Sequence, residues 1–168
     1  MNILLQVYYV PLPGKQERVN LLKSELGKMK HCISSSSMKS LGETIDGFTI
    51  EDIKTLINKA NNYPLAKAMS SKSFRCERNE LTCMSKYLCS LWHICKNDDD
   101  SAVSMDYNEA KKLGGVCIPS LTWHDILTAL SKTLPSVSKD SLSKYVIFGK
   151  KHGIVIDEPY LNRSDDLE

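Results

Sequence analysis

No stretch of the 168 residues approaches the roughly 20 consecutive apolar side chains that a membrane-spanning helix needs. The apolar opening from Met1 to Val10 has no basic residues ahead of it, meets Pro11 within ten residues and carries no small-residue cleavage site, so it reads as a strand and not as a secretory leader. Charge of one sign is also scarce. Lys and Arg total 22 against 20 Asp and Glu, and the net +2 is spread along the chain with no basic stripe. Nothing there recommends a nucleic acid or an anionic membrane, and protein partners are expected.

A phosphate-binding loop of the form Gly-x-x-x-x-Gly-Lys-Ser/Thr is missing. Gly14-Lys15, Gly27-Lys28 and Gly149-Lys150 each supply a Gly-Lys pair, but none has the following hydroxyl and a correctly placed earlier glycine. A disulfide framework is missing too. Without a secretion signal, Cys32, Cys76, Cys83, Cys89, Cys95 and Cys117 are expected to be reduced thiols, which places the chain in the cytoplasm. The Asn162-Arg-Ser164 sequon is then idle.

What is present is an ordinary globular composition, 42% apolar and 25% charged, in a length of one modest domain or a small domain with an insertion. Val19, Leu22 and Leu26 recur at helical spacing after Lys15, with Gly27 as a stop signal. Met38 to Glu43 predicts a short helix. Thr49 followed by Asp52 makes a capping pair ahead of Ile50, Ile53, Ile57 and Ala60, which predicts a helix bent or ended near Pro64. From about Ser71 to Ile118 the helical period lapses, as expected of an insertion. Leu88 to Cys95 and Ala102 to Tyr107 are its candidate strands, paired most simply as an antiparallel hairpin. Thr122 and Asp125 open a helix bearing Trp123, Ile126, Leu127 and Leu130, broken by Pro135. Ser138 caps a last helix with Leu142, Tyr145, Val146 and Phe148, ended at Gly153, and a polar tail follows.

The chemical signals are weak. Gly153-Ile-Val-Ile-Asp157-Glu158 has the outline of a strand that presents Asp to magnesium and Glu to water, but with no phosphate loop upstream it has nothing to act on. Cys83, Cys89 and Cys95 recur around His93, yet five intervening residues exceed the usual spacing of zinc ligands, so no metal site is expected and a zinc module is the lesser alternative. His31, His93, His124 and His152 lack a partner at motif spacing. Asp98 to Asp100 reads as a solvated turn.

Taken in order, Tyr9-Val-Pro-Leu-Pro13, Thr44-Ile-Asp-Gly-Phe48 before Glu51-Asp52-Ile53, and Leu134-Pro-Ser-Val-Ser138 resemble the meiotic clade of AAA ATPases. Cys95-Lys-Asn-Asp-Asp-Asp100 followed by Ala102 to Tyr107 resembles the β-domain insertion of the vacuolar-protein-sorting type four ATPase, which disassembles ESCRT-III polymers on endosomes.

The resemblance implies a mainly α fold: a small helical AAA lid bundle with a short antiparallel β insertion and a C-terminal helix. Residues 1–14 would be a remnant strand of the large ATPase domain, 15–71 the lid helices, 72–118 the insertion, 119–134 the last lid helix, 135–153 the C-terminal helix and 154–168 a tail. It implies a non-catalytic C-terminal fragment that is cytoplasmic and reaches endosomes through ESCRT-III. Its partners would be AAA subunits of the family's hexamer and an activator protein at the β-domain. The nucleotide-contact position falls on Gly47, Thr49, Ile50 and Glu51, where Thr-Ile-Glu replaces the family's small Ser-Gly-Ala. Leu142, Tyr145 and Phe148 are the expected partner-binding residues. ATP and magnesium belong to the intact family enzyme, and this chain is expected to bind no cofactor on its own. The alternative is a stand-alone interaction module that competes with the full-length ATPase.

Overall fold

The computed structural model describes residues 10–78 and 90–151. The expected strand at Val7 to Val10, Cys83 and Cys89, and the tail with its Asp157-Glu158 pair therefore fall wholly or mostly outside the described residues. The elements are α1 (Lys15–Leu26), α2 (Ser35–Thr44), α3 (Ile50–Ser70), β1 (Ser73–Arg78), β2 (Ser90–Ile94), β3 (Val103–Ser104), α4 (Tyr107–Lys112), β4 (Val116–Cys117), α5 (Trp123–Leu130) and α6 (Lys139–Lys151). The fold is mainly α with one small sheet. The chain divides into two compact units, one of 1–28, 34–56 and 130–168, the other of 29–33 and 57–129.

In the first, helical unit, α1 starts where the Glu17 carboxylate accepts the Gly14 N–H at 2.8 Å, and it stops at Gly27, whose N–H returns to the Lys23 carbonyl at 2.9 Å. Its stripe of Val19, Leu22 and Leu26 is buried. Ser34 caps α2, its Oγ accepting the Ser37 N–H at 3.1 Å, and Met38 and Leu41 turn inward. The two helices pack closely at Gly42, where an added Cβ would lie 2.5 Å from Val19 Cγ2. Ile45, Phe48, Ile53 and Leu56 complete a core in which each fully buried Leu or Ile contributes about 1.5–3 kcal/mol.

Two expectations about α3 need correction. Ile50 does not share the buried face of Ile53, Ile57 and Ala60; it is 51% exposed at the first helical position. Of the bend or end expected near Pro64, the end is not formed. Proline there removes one backbone bond, to the Ala60 carbonyl, and burial of Ile57, Ala60, Pro64 and Ala68 in the same half offsets that loss, so the helix continues to Ser70.

In the second unit the strands run in the order β3-β1-β2-β4. The expected hairpin between the segments of β2 and β3 is not formed, because β1 lies between them. β1 pairs antiparallel with both, and β2 pairs parallel with β4. The register sets Val103, Phe74 and Ile94 in one row and Cys76, Trp92 and Val116 in the next, while Arg75, His93 and Cys117 form a row on the other face. Of the strand expected over Ala102 to Tyr107 only Val103–Ser104 is formed, and Tyr107 instead opens α4. Asp106 accepts the Glu109 N–H at 2.8 Å and Glu109 returns the favour to the Asp106 N–H at 2.9 Å. A parallel bridge joins His31 and Leu121 through Cys32 N–H to the Leu121 carbonyl, 2.9 Å, and Leu121 N–H to the Lys30 carbonyl, 3.0 Å. Thr122 and Asp125 then cap α5, whose Ile126 and Ala129 are buried.

Candidate functional site

The turn from Ile45 to Glu51 is built from underneath by Arg18. That side chain is 5% exposed and donates from Nε to the Gly42 carbonyl and from Nη1 to the Pro13 carbonyl, each at 2.8 Å; Nη1 also stands 2.8 Å from the Asp46 carboxylate. An arginine so enclosed is tolerable because its planar fork meets several acceptors at once. Sequence reading missed it, and the signal that could have found it is its place four residues before Leu22, a charged member of an apolar stripe.

Next in the chain, Gly47 has φ +81, a backbone conformation that a side chain would strain, though an added Cβ would meet open space. Thr49 and Asp52 exchange bonds at the start of α3: the Asp52 Oδ2 accepts the Thr49 N–H at 2.9 Å, and Thr49 Oγ1 accepts the Asp52 N–H at 3.1 Å. Oδ2 also accepts the N–H and the hydroxyl of Ser136, at 3.1 and 3.0 Å. Partial burial pushes the Asp52 carboxyl up, but the bonds from Thr49 and Ser136 outweigh it and hold the group below its ordinary value. Gly47, Thr49, Ile50 and Glu51 thus lie on one corner, the first two half-buried and the last two exposed, with the buried Phe48 between Gly47 and Thr49. The Thr49 hydroxyl is engaged as a cap, the Ile50 side chain stands outward, and Glu51 is 81% exposed, 3.9 Å from Lys54.

On α6, started by the Ser138 Oγ accepting the Ser141 N–H at 3.2 Å, Leu142 is half-buried while Tyr145 and Phe148 are 60% and 50% exposed. Ile147, at 66%, joins the exposed apolar group although its position breaks the spacing of the expected stripe. Lys144 and Lys151 are exposed on the same helix. In the sheet unit, Arg75 and Asp99 form an ion pair at 3.3 Å, and Ser73 Oγ donates to Asn97 at 2.5 Å. Burial pushes the Cys95 thiol up, Asp99 adds to this and Arg75 opposes it, which makes Cys95 a poor thiolate donor. Among the described residues no three His, Cys, Asp or Glu side chains are grouped to hold a metal, and no helix is long and apolar enough to cross a membrane.

A family model covers the chain from within β2 through α6. Residues 92–153 match the model described as the Vps4 C terminal oligomerisation domain. The chain resembles the C-terminal part of Vps4. It is 26% identical to vacuolar protein sorting-associated protein 4B of Pongo abelii over 146 residues and 24% identical to protein 4A of Homo sapiens over 147. In both cases the match covers 86% of this chain and 33% of the relative, so the chain spans about a third of the length of its Vps4 relatives. In fold it is similar to a chain of the crystal structure of Vps4 and Vta1, with a TM-score of 0.52 at 20% identity over 73% of this chain and all of that one. The FIGL-1 AAA domain in complex with ADP gives a TM-score of 0.53 at 18% identity, covering 86% of this chain and 36% of that one.

Proposed function

We propose that this chain supplies lid and oligomerisation surfaces to a Vps4-type assembly and carries out no bond-making itself. The supporting observation is the exposed group of Tyr145, Ile147 and Phe148 on α6, inside the segment that matches the oligomerisation domain. Three large apolar side chains left in water on one helix mark a face that a partner covers. The partner in this reading is an AAA subunit of the same type, as in the family's hexamer. The four-stranded insertion would receive an activator of the Vta1 kind, in keeping with the Vps4 and Vta1 structure.

ATP and magnesium would be held by the partner subunits, since residues 1–168 contain no phosphate loop. Here the Gly47–Glu51 corner would at most border the nucleotide, because Ile50 and Glu51 place bulk where the family has Gly and Ala. The setting would be cytoplasmic, reaching endosomal membranes only through ESCRT-III polymers. The exposed α6 face fits a second reading equally well, in which the chain occupies a ring position and competes with the full-length ATPase.

Mixing the pure chain with intact Vps4 tests this. Co-migration, with hydrolysis raised or unchanged, supports the supply of a lid surface; co-migration with hydrolysis reduced supports competition. Absence of co-migration at high concentration, together with unchanged hydrolysis, overturns both. Magnesium-dependent turnover by the chain alone would overturn the non-catalytic part.

A further inference from the structure

One carboxylate oxygen in the helical unit serves two elements far apart in sequence. Asp52 Oδ2 receives the Thr49 N–H, which closes the first turn of α3, and receives both the N–H and the hydroxyl of Ser136, which lies 84 residues on in the approach to α6. Pro135 stiffens that approach from one side by fixing its own φ, and the Ser138 cap begins α6 two residues after Ser136. The corner ahead of α3 is itself held through Asp46 by the buried Arg18. A continuous set of bonds therefore runs from Arg18 through the Gly47 corner and Asp52 to the start of α6.

From this geometry we infer that Asp52 is a positioning residue which couples the Gly47–Glu51 corner to α6, so that ordering one end orders the other. Its consequence for function rests on the α6 docking reading: a partner seated on Tyr145, Ile147 and Phe148 would tighten the corner. The coupling itself does not depend on that reading.

The physical case is the concentration of three donors on one charged oxygen. Hydrogen bonds to an ionised group are stronger than neutral ones, and a change at any one of the three alters what the shared acceptor offers the others. Thr49 has a separate bond, its hydroxyl oxygen accepting the Asp52 N–H, that touches α3 alone. This allows capping to be separated from coupling.

Amide hydrogen exchange on the full chain, without partner, provides the test. Asp52→Ala is expected to speed exchange about tenfold or more in both the first turn of α3 and the amides of α6, relative to α1 and α2. Thr49→Ala is expected to act on the first turn of α3 while leaving α6 closer to wild type. Ser136→Ala, which keeps the backbone bond and the fold, is expected to act on α6 with a smaller factor. Combining it with Asp52→Ala should add little in α6, because both remove the same link. Exchange confined to the first turn of α3 in Asp52→Ala, with α6 unchanged in Ser136→Ala, would overturn the coupling. Adding intact Vps4 forms the second arm: protection of the corner in wild type but not in Ser136→Ala extends the coupling to docking. Equal protection in both would show that docking reaches the corner by another route and would overturn the functional consequence, leaving the first arm to stand or fall alone. No binding in either would count against the docking reading and not against the coupling.

Discussion

The helical unit and the sheet unit are held together differently. In the first, charged side chains bond backbone groups both near and far along the chain: Arg18 joins Pro13 and the distant Gly42, and Asp52 joins Thr49 and the distant Ser136. In the second, the described cross-links are mostly backbone pairing in strands as short as two residues, an exposed Arg75–Asp99 pair and local caps. One buried donor of that unit, the Trp92 indole N–H, has no hydrogen-bond partner among the described residues. The difference teaches where single substitutions will be felt. In the helical unit Arg18 and Asp52 each join several backbone groups, whereas in the sheet unit the Ser73–Asn97 and Arg75–Asp99 contacts each join one side chain to one other.

Substitutions and acid test that contrast, and their expected effects differ in size. Arg18→Ala should have the largest, because it removes buried packing and several charge-assisted bonds together; a loss of about 3 kcal/mol is expected in urea unfolding. A loss below that of an ordinary surface change would show that the fork contributes little.

Gly42→Ala comes next. It forces a methyl against Val19 Cγ2, and overpacking of about 1–3 kcal/mol is only partly offset by the better helix propensity of alanine. In a Val19→Ala background the same change should become neutral or stabilising, which a double-mutant cycle reads directly.

Acid should then separate the units. The Asp52 carboxyl is lowered in the folded state, so its stabilising share is complete above the ordinary carboxylate value of about 3.9 and is lost as pH falls through the lowered folded value. Wild type should lose more stability than Asp52→Asn between neutral pH and pH about 3. Parallel losses in the two would remove Asp52 from the account. The smallest effect is expected in the sheet unit, where Arg75→Gln breaks an ion pair that is half in water and should shift stability by about 0.5 kcal/mol.

How much could be read from the sequence follows the same division. Helices announced themselves because each carries a buried stripe or a cap: Val19, Leu22 and Leu26 for α1, Thr49 with Asp52 for α3, Thr122 with Asp125 for α5, Ser138 for α6. The sheet did not, for a physical reason. β1 is Ser-Phe-Arg-Cys-Glu-Arg, a strand in which Phe74 alone is a large buried apolar residue, so no alternation marked it, and without it β2 and β3 looked like neighbours. Its pairing with β2 is long-range and invisible to local pattern. α4 had a signal that went unused, the Asp106 and Glu109 capping box. Arg18 was hidden by the habit of reading charged residues outward, and Ile147 by its place off the expected stripe. The Asp52 to Ser136 contact could not be foreseen, since nothing local joins positions 84 residues apart.

The central claim is that α6 presents a face which a Vps4-type subunit covers. Sedimentation of the chain with intact Vps4, comparing wild type with Tyr145→Asp and Phe148→Asp, tests it most directly. The account predicts a complex with wild type that weakens at least about tenfold in each variant, as expected when a charge is placed in a desolvated apolar contact. A complex of equal strength in all three, or none with wild type, would contradict it.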